Sequence, residues 1–235
     1  KAVIPGLVDS HTHLLWRGDR SREVSWKQQG MSYREIAEKG GGINATVTPT
    51  RNASKSELAH NGIERMRESL RNGTTHMEVK SGYGLDTESE LRLLEVAQEI
   101  SKVVSLPSLD LTWMGAHAAP KGKSLDSYFE EILSEQLPAV LEQGFARSAD
   151  VFCEPGWFSI EQSEELLKAS RDGGLDLRIH IDEFEDGGGG DLAAELKVST
   201  ADHAHYTNDD SRNAMSNSGV NMGFLPGTPY AMGED

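Results

Sequence analysis

The stretch AVIPGLVDSHTH, residues 2–13, combines an apolar run with two histidines that are separated by one residue. An apolar run of this kind is typical of a strand that is buried on both faces of a parallel sheet. Residues two apart in a strand point to the same side, so His11 and His13 can direct both imidazoles at one point, as a metal ion requires. For an isolated pair the simpler interpretation is two solvated histidines, so the choice depends on the rest of the chain.

Six further apolar runs follow, and helix-like stretches separate several of them. The runs are TTHMEVK (74–80), LDLTWMGA (109–116), ADVFCE (149–154), LDLRIHID (175–182), VSTADHAHY (198–206) and VNMGFLP (220–226). Residues 54–73 have apolar side chains at helical spacing. Two other stretches open with a capping-box pattern, Thr87 with Glu90 and Ser159 with Gln162. Sustained alternation of strand and helix predicts an α/β fold with a parallel sheet.

Two α/β architectures compete for this pattern, a doubly wound open sheet and a closed (β/α)8 TIM-like barrel. No glycine-rich G-x-G-x-x-G turn follows the first run, which weakens the dinucleotide-binding form of the open sheet. Polar residues instead stand at the carboxyl ends of nearly all the predicted strands, as a barrel active site requires. They include His11, His13, Lys80, Tyr83, His117, Glu154, His180, Glu183 and His203. The sequence therefore predicts a barrel.

The number of apolar runs is seven, whereas a closed barrel of this class has eight strands. We therefore expect residues 1–235 to form one partial catalytic barrel, strands one to seven, truncated after the seventh. The run from Asp186 to Asp191 contains four consecutive glycines, and we expect it to be a flexible loop beside the site.

The composition narrows the choice of partners. A formal net charge of −15 argues against nucleic acid and against an anionic membrane surface. No apolar run reaches the ~20 residues that a membrane-spanning helix needs. A small anionic substrate stays compatible, since a local arginine outweighs the global field at short range. The single cysteine, Cys153, excludes an internal disulfide framework, and with no signal-peptide pattern at the start it predicts a cytoplasmic protein.

Three more residues complete a candidate metal-dependent hydrolytic site. His180 ends the fifth strand and is the third predicted ligand, and neutral imidazole suits zinc or ferrous iron. Glu183 lies just past that strand, where a carboxylate can move the protons of a water whose pKa a metal lowers towards ~7. His203 ends the sixth strand. The alternatives are a surface position for Glu183 and a core histidine bonded to a backbone carbonyl for His203, but their place at strand ends favours catalysis.

An H-x-H after strand one, with single histidines after strands five and six, forms the amidohydrolase pattern. Segments typical of the imidazolonepropionase family follow in collinear order, and the chain resembles that family along essentially its whole length. They are PGLVDSHTHL, SYREIAEKGGGI, GTTHMEVKSGYGLD, MGAHAAP, DVFCEPGWFS, HIDE, ADH and LPGTPY. The run EVKSGYGLD is the most diagnostic, because other amidohydrolases share H-x-H but not this run.

The resemblance implies hydrolysis of the cyclic amide of 4-imidazolone-5-propanoate to N-formimidoyl-L-glutamate in histidine degradation. It implies one divalent metal, zinc or iron, on His11, His13 and His180. It also implies that Glu183 acts on the substrate ring nitrogen and in proton transfer, and that His203 orients or activates the water. The implied substrate contacts, among them an arginine fork that suits the substrate carboxylate, are Arg20, Tyr33, Tyr83 and His117. A homodimer is plausible from the same resemblance.

The sequence also departs from the family pattern. The resemblance implies a metal-binding aspartate on strand eight and a small β-sandwich domain, and we find neither in residues 1–235. We therefore expect little or no activity from this chain by itself. Two other hypotheses stay open. One is another cyclic amidohydrolase or a deaminase, which would not need Arg20 for a carboxylate, and the other is a truncated barrel without catalysis.

Overall fold

The computed structural model describes residues 2–32, 35–36 and 39–232. Within them, seven parallel strands form one sheet, in which each strand pairs with the next along the chain. The strands are β1 (Leu7–Asp9), β2 (Thr74–Lys80), β3 (Ser108–Ala116), β4 (Ser148–Cys153), β5 (Asp176–Ile181), β6 (Thr200–His203) and β7 (Asn221–Gly223). The predicted α/β class, the parallel sheet and the seven strands are confirmed.

Helices connect these strands on the outside of the sheet. Their bounds are α1 (Ser21–Gln28), α2 (Asn44–Asn52), α3 (Lys55–Arg71), α4 (Thr87–Ile100), α5 (Leu125–Glu131), α6 (Leu137–Gln143), α7 (Ile160–Asp172), α8 (Gly189–Leu196), α9 (Asp209–Ser218) and α10 (Gly227–Met232). A π-helical turn, Ile132–Gln136, joins α5 to α6. The described helices include none that is long and apolar enough to cross a bilayer.

The capping residues fix where the long helices begin. Ser159 and Gln162 form the predicted capping box at the start of α7. The prediction for α4 was wrong, because Asp86 and not Thr87 is the N-cap, and its side chain accepts from the backbone N–H of Ser89. Glu90 is thereby released from capping and points into the interior, where it is fully buried.

The core lies between the sheet and the helices that cover it. All six residues of β4 are buried, as expected for a strand in the middle of a covered parallel sheet. Leu93, Val96 and Ile100 of α4 belong to the same apolar cluster as Val79 of β2. The sheet is curled, because His11 beyond β1 reaches Asp202 in β6.

Two expectations about the chain are corrected here. The first apolar run is not buried on both faces, since β1 has three residues and Leu7 and Val8 are 57% and 64% exposed. The described sheet places β1 at its edge, paired only with β2. The glycine-rich run is only partly a loop, because Gly189 and Gly190 are buried residues of the first turn of α8.

Candidate metal and substrate site

Five histidines from four strand ends meet at one place on the sheet. His11 and His13 follow β1, His117 follows β3, His180 lies in β5 and His203 ends β6. Nitrogen atoms of His11, His180 and His203 all lie within 4.8 Å of one another. His13 is slightly farther out, with its ring centroid 5.9 Å from that of His11 and 6.0 Å from that of His180. The structure thus groups two of the predicted ligands, His11 and His180, with His203, and places His13 beside this group.

Each predicted ligand uses its Nδ1 atom in a hydrogen bond. The distances are 2.7 Å from His11 Nδ1 to Asp202 Oδ2 and 3.0 Å from His180 Nδ1 to Asp150 Oδ1. His13 Nδ1 lies 3.0 Å from the carbonyl oxygen of Ser81, to which it can only donate. A partner on one ring nitrogen fixes the ring and leaves the other nitrogen as the ligand atom, which is the usual arrangement at metal sites.

The residues present fit a divalent cation. The Nε2 atom of His180 is buried and has no hydrogen-bond partner among the described residues, which is a costly state for a polar atom unless another group satisfies it. Burial lowers the pKa of His180 and of His117 to about 4, and that of His203 to about 3. Burial likewise lowers the pKa of His11 and His13 well below the ordinary value. Neutral imidazole is the form that binds a metal.

A buried lysine lies beneath the histidines. Lys80 Nζ is 2.7 Å from Asp150 Oδ2, 2.9 Å from Glu78 Oε1 and 3.6 Å from Asp202 Oδ2. Burial alone would lower the pKa of Lys80, but the attraction of the three carboxylates raises it above the ordinary value. One cation therefore contacts both carboxylates that hold His11 and His180. Lys80 and Glu78 thus belong to the internal polar packing beneath the site.

The predicted catalytic pair is close together. Glu183 Oε2 lies 3.6 Å from His203 Nε2. His203 has a φ of +69°, an uncommon left-handed conformation for a residue other than glycine, which turns the chain at the end of β6. The carboxylate of Glu154 accepts hydrogen bonds from the backbone N–H groups of Glu183, Phe184 and Glu185, so the segment after β5 is held from β4.

Three of the predicted substrate residues, Arg20, Tyr83 and His117, line one cavity of about 1010 Å³ together with the other histidines. Tyr83 and His117 stand beside His13, with ring centroids 5.2 and 4.6 Å from the ring of His13. Arg20 also lines the cavity, and its Nε and one terminal nitrogen donate to the buried carboxylate of Glu23 at 2.9 and 3.0 Å. Tyr33 lies outside the described residues.

Sequence reasoning missed an aromatic wall of this cavity. Phe152, Trp157 and Phe184 line it, and their ring centroids lie 5.2 Å (Phe152 to Trp157) and 5.4 Å (Trp157 to Phe184) apart. It also missed the partners of the imidazoles, Asp150 and Asp202. The available signal was alternation along β4 and β6, where a charged residue inside a buried run marks a side chain that needs a partner.

Known proteins resemble this chain in fold and in sequence. No protein-family model matches the sequence. The fold resembles that of a 5-methylcytosine deaminase from Klebsiella pneumoniae, with a TM-score of 0.66 and 16% identity over 93% of this chain and 53% of that one. It also resembles the ochratoxinase of A. niger, with a TM-score of 0.60 and 15% identity over 93% of this chain and 51% of that one. At 16% and 15% identity, these two likenesses concern the fold.

The predicted resemblance to imidazolonepropionase is confirmed by the relatives that match in sequence. The imidazolonepropionase of Alkaliphilus metalliredigens is 45% identical over 232 residues, which are 98% of this chain and 55% of that protein. The imidazolonepropionase of Shewanella sediminis is 42% identical over 234 residues, 99% of this chain and 57% of that protein. The chain therefore spans a little over half the length of the curated relatives that it matches.

Proposed function

We propose that the protein carrying this chain hydrolyses the cyclic amide of 4-imidazolone-5-propanoate to N-formimidoyl-L-glutamate, with one zinc or iron ion. The observation that carries the proposal is the collinear match to imidazolonepropionases, at 42% and 45% identity in two of them. It is supported by the cavity, which His11, His13, His180, Glu183 and His203 line together. The single cysteine supports a cytoplasmic location.

His11, His13 and His180 would hold the ion, since each has its Nδ1 atom engaged and a lowered pKa that keeps its ring neutral. When bound, a divalent ion acts as a Lewis acid and lowers the pKa of water. Zinc and ferrous iron both accept imidazole ligands, so the donor set is compatible with either.

The protein groups around the ligands suit the remaining steps. We assign Glu183 to the substrate ring nitrogen and to proton transfer, because a carboxylate just beyond the strand end faces the same cavity as the ligands. Burial lowers the pKa of His203 to about 3, so at neutral pH its ring is unprotonated and can accept a hydrogen bond that orients the water. The 3.6 Å separation between His203 Nε2 and Glu183 Oε2 lets the two groups act on one small region.

Substrate recognition is assigned to the outer part of the cavity. We assign the carboxylate of the substrate to Arg20, whose planar guanidinium offers five N–H donors and whose Nε and one terminal N–H are held by Glu23. Glu23 fixes the direction of the guanidinium, because its carboxylate is buried and also accepts from the backbone N–H of Gly42 at 2.8 Å. Tyr83 and His117 are assigned to the wall beside His13, and Tyr33 completes the proposed set.

The test is turnover of imidazolone propionate, followed by the loss of its ultraviolet absorbance. Because the chain spans a little over half the length of its relatives, we would measure the 235-residue chain and a longer chain completed with the remainder of the Alkaliphilus relative. We expect turnover by the completed, metal-loaded chain and little by the shorter one. His180→Ala should abolish it. Turnover that survives His180→Ala, or a completed chain that holds metal without turnover, contradicts the proposal.

Arg20→Ala separates this substrate from uncharged cyclic amides. We expect a rise in KM for imidazolone propionate and no rise for a cyclic amide that lacks a carboxylate. An unchanged KM for imidazolone propionate would favour another cyclic amidohydrolase or a deaminase.

A further inference from the structure

Two buried glutamates outside the predicted catalytic set each bind three backbone N–H groups of one loop at the site. Glu154 accepts from the N–H groups of residues 183–185, and Glu90 accepts from those of Gly82, Gly84 and Leu85. We propose that they are positioning residues, Glu154 for the proton-transfer carboxylate of Glu183 and Glu90 for the substrate wall at Tyr83. The inference rests on the proposed function for the roles of Glu183 and Tyr83, but the anchoring of the two loops is independent of it.

Glu154 follows β4 and reaches across to the segment after β5. Its Oε2 accepts from the N–H of Glu183 at 3.0 Å, and its Oε1 accepts from Phe184 at 2.9 Å and from Glu185 at 3.1 Å. The side chain is almost fully buried, so water does not compete for these donors. The segment lies beyond the last pairing of β5, which ends at Ile181, and therefore has no ladder of its own to hold it.

Glu90, which lies in α4, holds the loop after β2 in the same way. Its Oε1 accepts from Gly84 at 2.7 Å and from Leu85 at 2.8 Å, and its Oε2 accepts from Gly82 at 2.9 Å. The loop it holds has unusual backbone, with φ of +102° at Gly82 and +54° at Leu85. A non-glycine residue in that region costs free energy, so the loop keeps this shape only where other contacts impose it.

The chemistry of the contact requires a carboxylate at both positions. Three N–H donors converge on each side chain, and an ionised carboxylate is an acceptor at both oxygens. A glutamine of the same size has one acceptor oxygen and would turn an NH2 group against an N–H. Burial raises the pKa of Glu90 and of Glu154, while the backbone hydrogen bonds oppose that shift. Glutamine in place of Glu90 or Glu154 should therefore weaken the hydrogen bonds to the loop in the same way.

The two loops carry different groups, so the two substitutions should give different kinetics. Displacing Glu183 affects a group that moves protons in the reaction, and a misplacement of about 1 Å costs about 100-fold in rate. We therefore expect Glu154→Gln to lower kcat about 10- to 100-fold with little change in KM. Displacing Tyr83 affects the substrate wall, so Glu90→Gln should raise KM about 10-fold and change kcat less.

The experiment combines these kinetics with hydrogen exchange of the backbone amides. Glu154→Gln should speed exchange at residues 183–185 but not at 82–85, and Glu90→Gln should do the reverse. Glu99→Gln, an exposed glutamate on the same helix as Glu90, is the matched control and should change neither loop nor the kinetics. Kinetics are measured on the completed, metal-loaded chain and exchange on both chains. Glu90→Asp and Glu154→Asp, which keep the charge but shorten the reach, replace any glutamine variant that fails to fold.

Two results would overturn the inference. One is faster exchange in both loops with either variant, which is what general destabilisation produces. The other is faster exchange in the expected loop without the split between kcat and KM in an active parent chain. An inactive parent chain instead contradicts the proposed function, and the exchange results then still decide whether the two glutamates anchor the loops.

Discussion

The histidines of the site are held in two different ways, and the contrast follows from where their strands lie. His180 stands in β5, which pairs with β4 on one side and with β6 on the other, and its ring is nearly fully buried. His11 and His13 follow β1, a three-residue strand that pairs only with β2 in the described sheet and exposes both of its apolar residues.

The segment after β1 is held by side-chain contacts and by a backbone hydrogen bond to the end of β2. The hydroxyl of Thr12 donates to the carbonyl oxygen of Glu78 at 2.6 Å, and the backbone N–H of Lys80 donates to the carbonyl oxygen of Thr12 at 2.8 Å. His11 itself is tied to Asp202, which is far away in sequence. The position of His180 therefore depends on sheet packing, whereas that of His11 depends on a few polar contacts. The carboxylates that hold the two rings both contact Lys80.

The largest effect on stability should come from Lys80, which contacts the carboxylates that hold His11 and His180. Lys80→Met removes the cation from between three buried carboxylates, and breaking a buried pair from one side costs about 3–5 kcal/mol. We expect the free energy of unfolding in urea to fall by about that amount. Lys168→Met removes an exposed lysine that pairs with Glu164, and it should leave the free energy of unfolding nearly unchanged. Similar losses for the two variants would mean that Lys80 is not the common support.

Metal affinity should distinguish the edge segment, which carries His11, from the central strand, which carries His180. Removing the partner of a ligand histidine typically costs about 10- to 100-fold in affinity. We expect about 100-fold for Asp202→Ala, which frees His11 on the edge segment, and about 10-fold for Asp150→Ala, because strand pairing still holds His180. Competition with a chromophoric zinc chelator measures both. Equal losses, or a larger loss for Asp150→Ala, would remove the distinction between edge and centre.

Matched valines test the packing difference directly. Val79 in β2 is 2% exposed and Val8 in β1 is 64% exposed. Val79→Ala should lower the free energy of unfolding by about 2 kcal/mol, because buried methyl groups are lost and a cavity remains. Val8→Ala should change it by less than about 0.5 kcal/mol. Thermal or urea unfolding of both variants decides, and a loss above 1 kcal/mol for Val8→Ala would show that β1 is covered in solution.

The smallest expected effect concerns a single hydroxyl of the edge segment. Thr12→Val keeps the shape of the side chain and removes the donor to the carbonyl oxygen of Glu78, which should cost about 1 kcal/mol. Thr75→Val is the control, since the exposed hydroxyl of Thr75 lies 3.5 Å from the carbonyl oxygen of Leu7 and should contribute almost nothing. If the two variants are equally stable in urea, the Thr12 contact is not part of what holds the edge.

The parts of the fold that sequence predicted are those with a local cause. Apolar runs such as LDLRIHID and the capping box at Ser159 specify β5 and α7 through neighbouring residues, and the structure has both. The exposure of Val8 could not be predicted in that way. Whether an apolar strand is covered depends on which strand lies beside it, and the run itself is apolar in either case.

The same distinction between local and long-range causes applies to the residues of the site. Histidines at strand ends are visible as residue types in a pattern, so His11, His13, His180 and His203 could be found. Their supports could not, because the pairing of His11 with Asp202 spans 191 positions and depends on the curl of the sheet. The Thr87–Glu90 spacing matched a capping box, but a better N-cap one residue earlier left Glu90 for the loop.

Gly223 in β7 has a consequence for how this protein can vary. It lies opposite Asp202 in the sheet, and a methyl group built there would come within 2.2 Å of Asp202 Oδ1. The carboxylate that steadies His11 has its space only because the neighbouring strand offers a hydrogen atom. In a random library selected for a working site, position 223 should therefore tolerate no replacement, although glycine has no side chain to bind a ligand and carries no charge. The volume of a single carbon atom is therefore enough to exclude evolutionary substitution at this position.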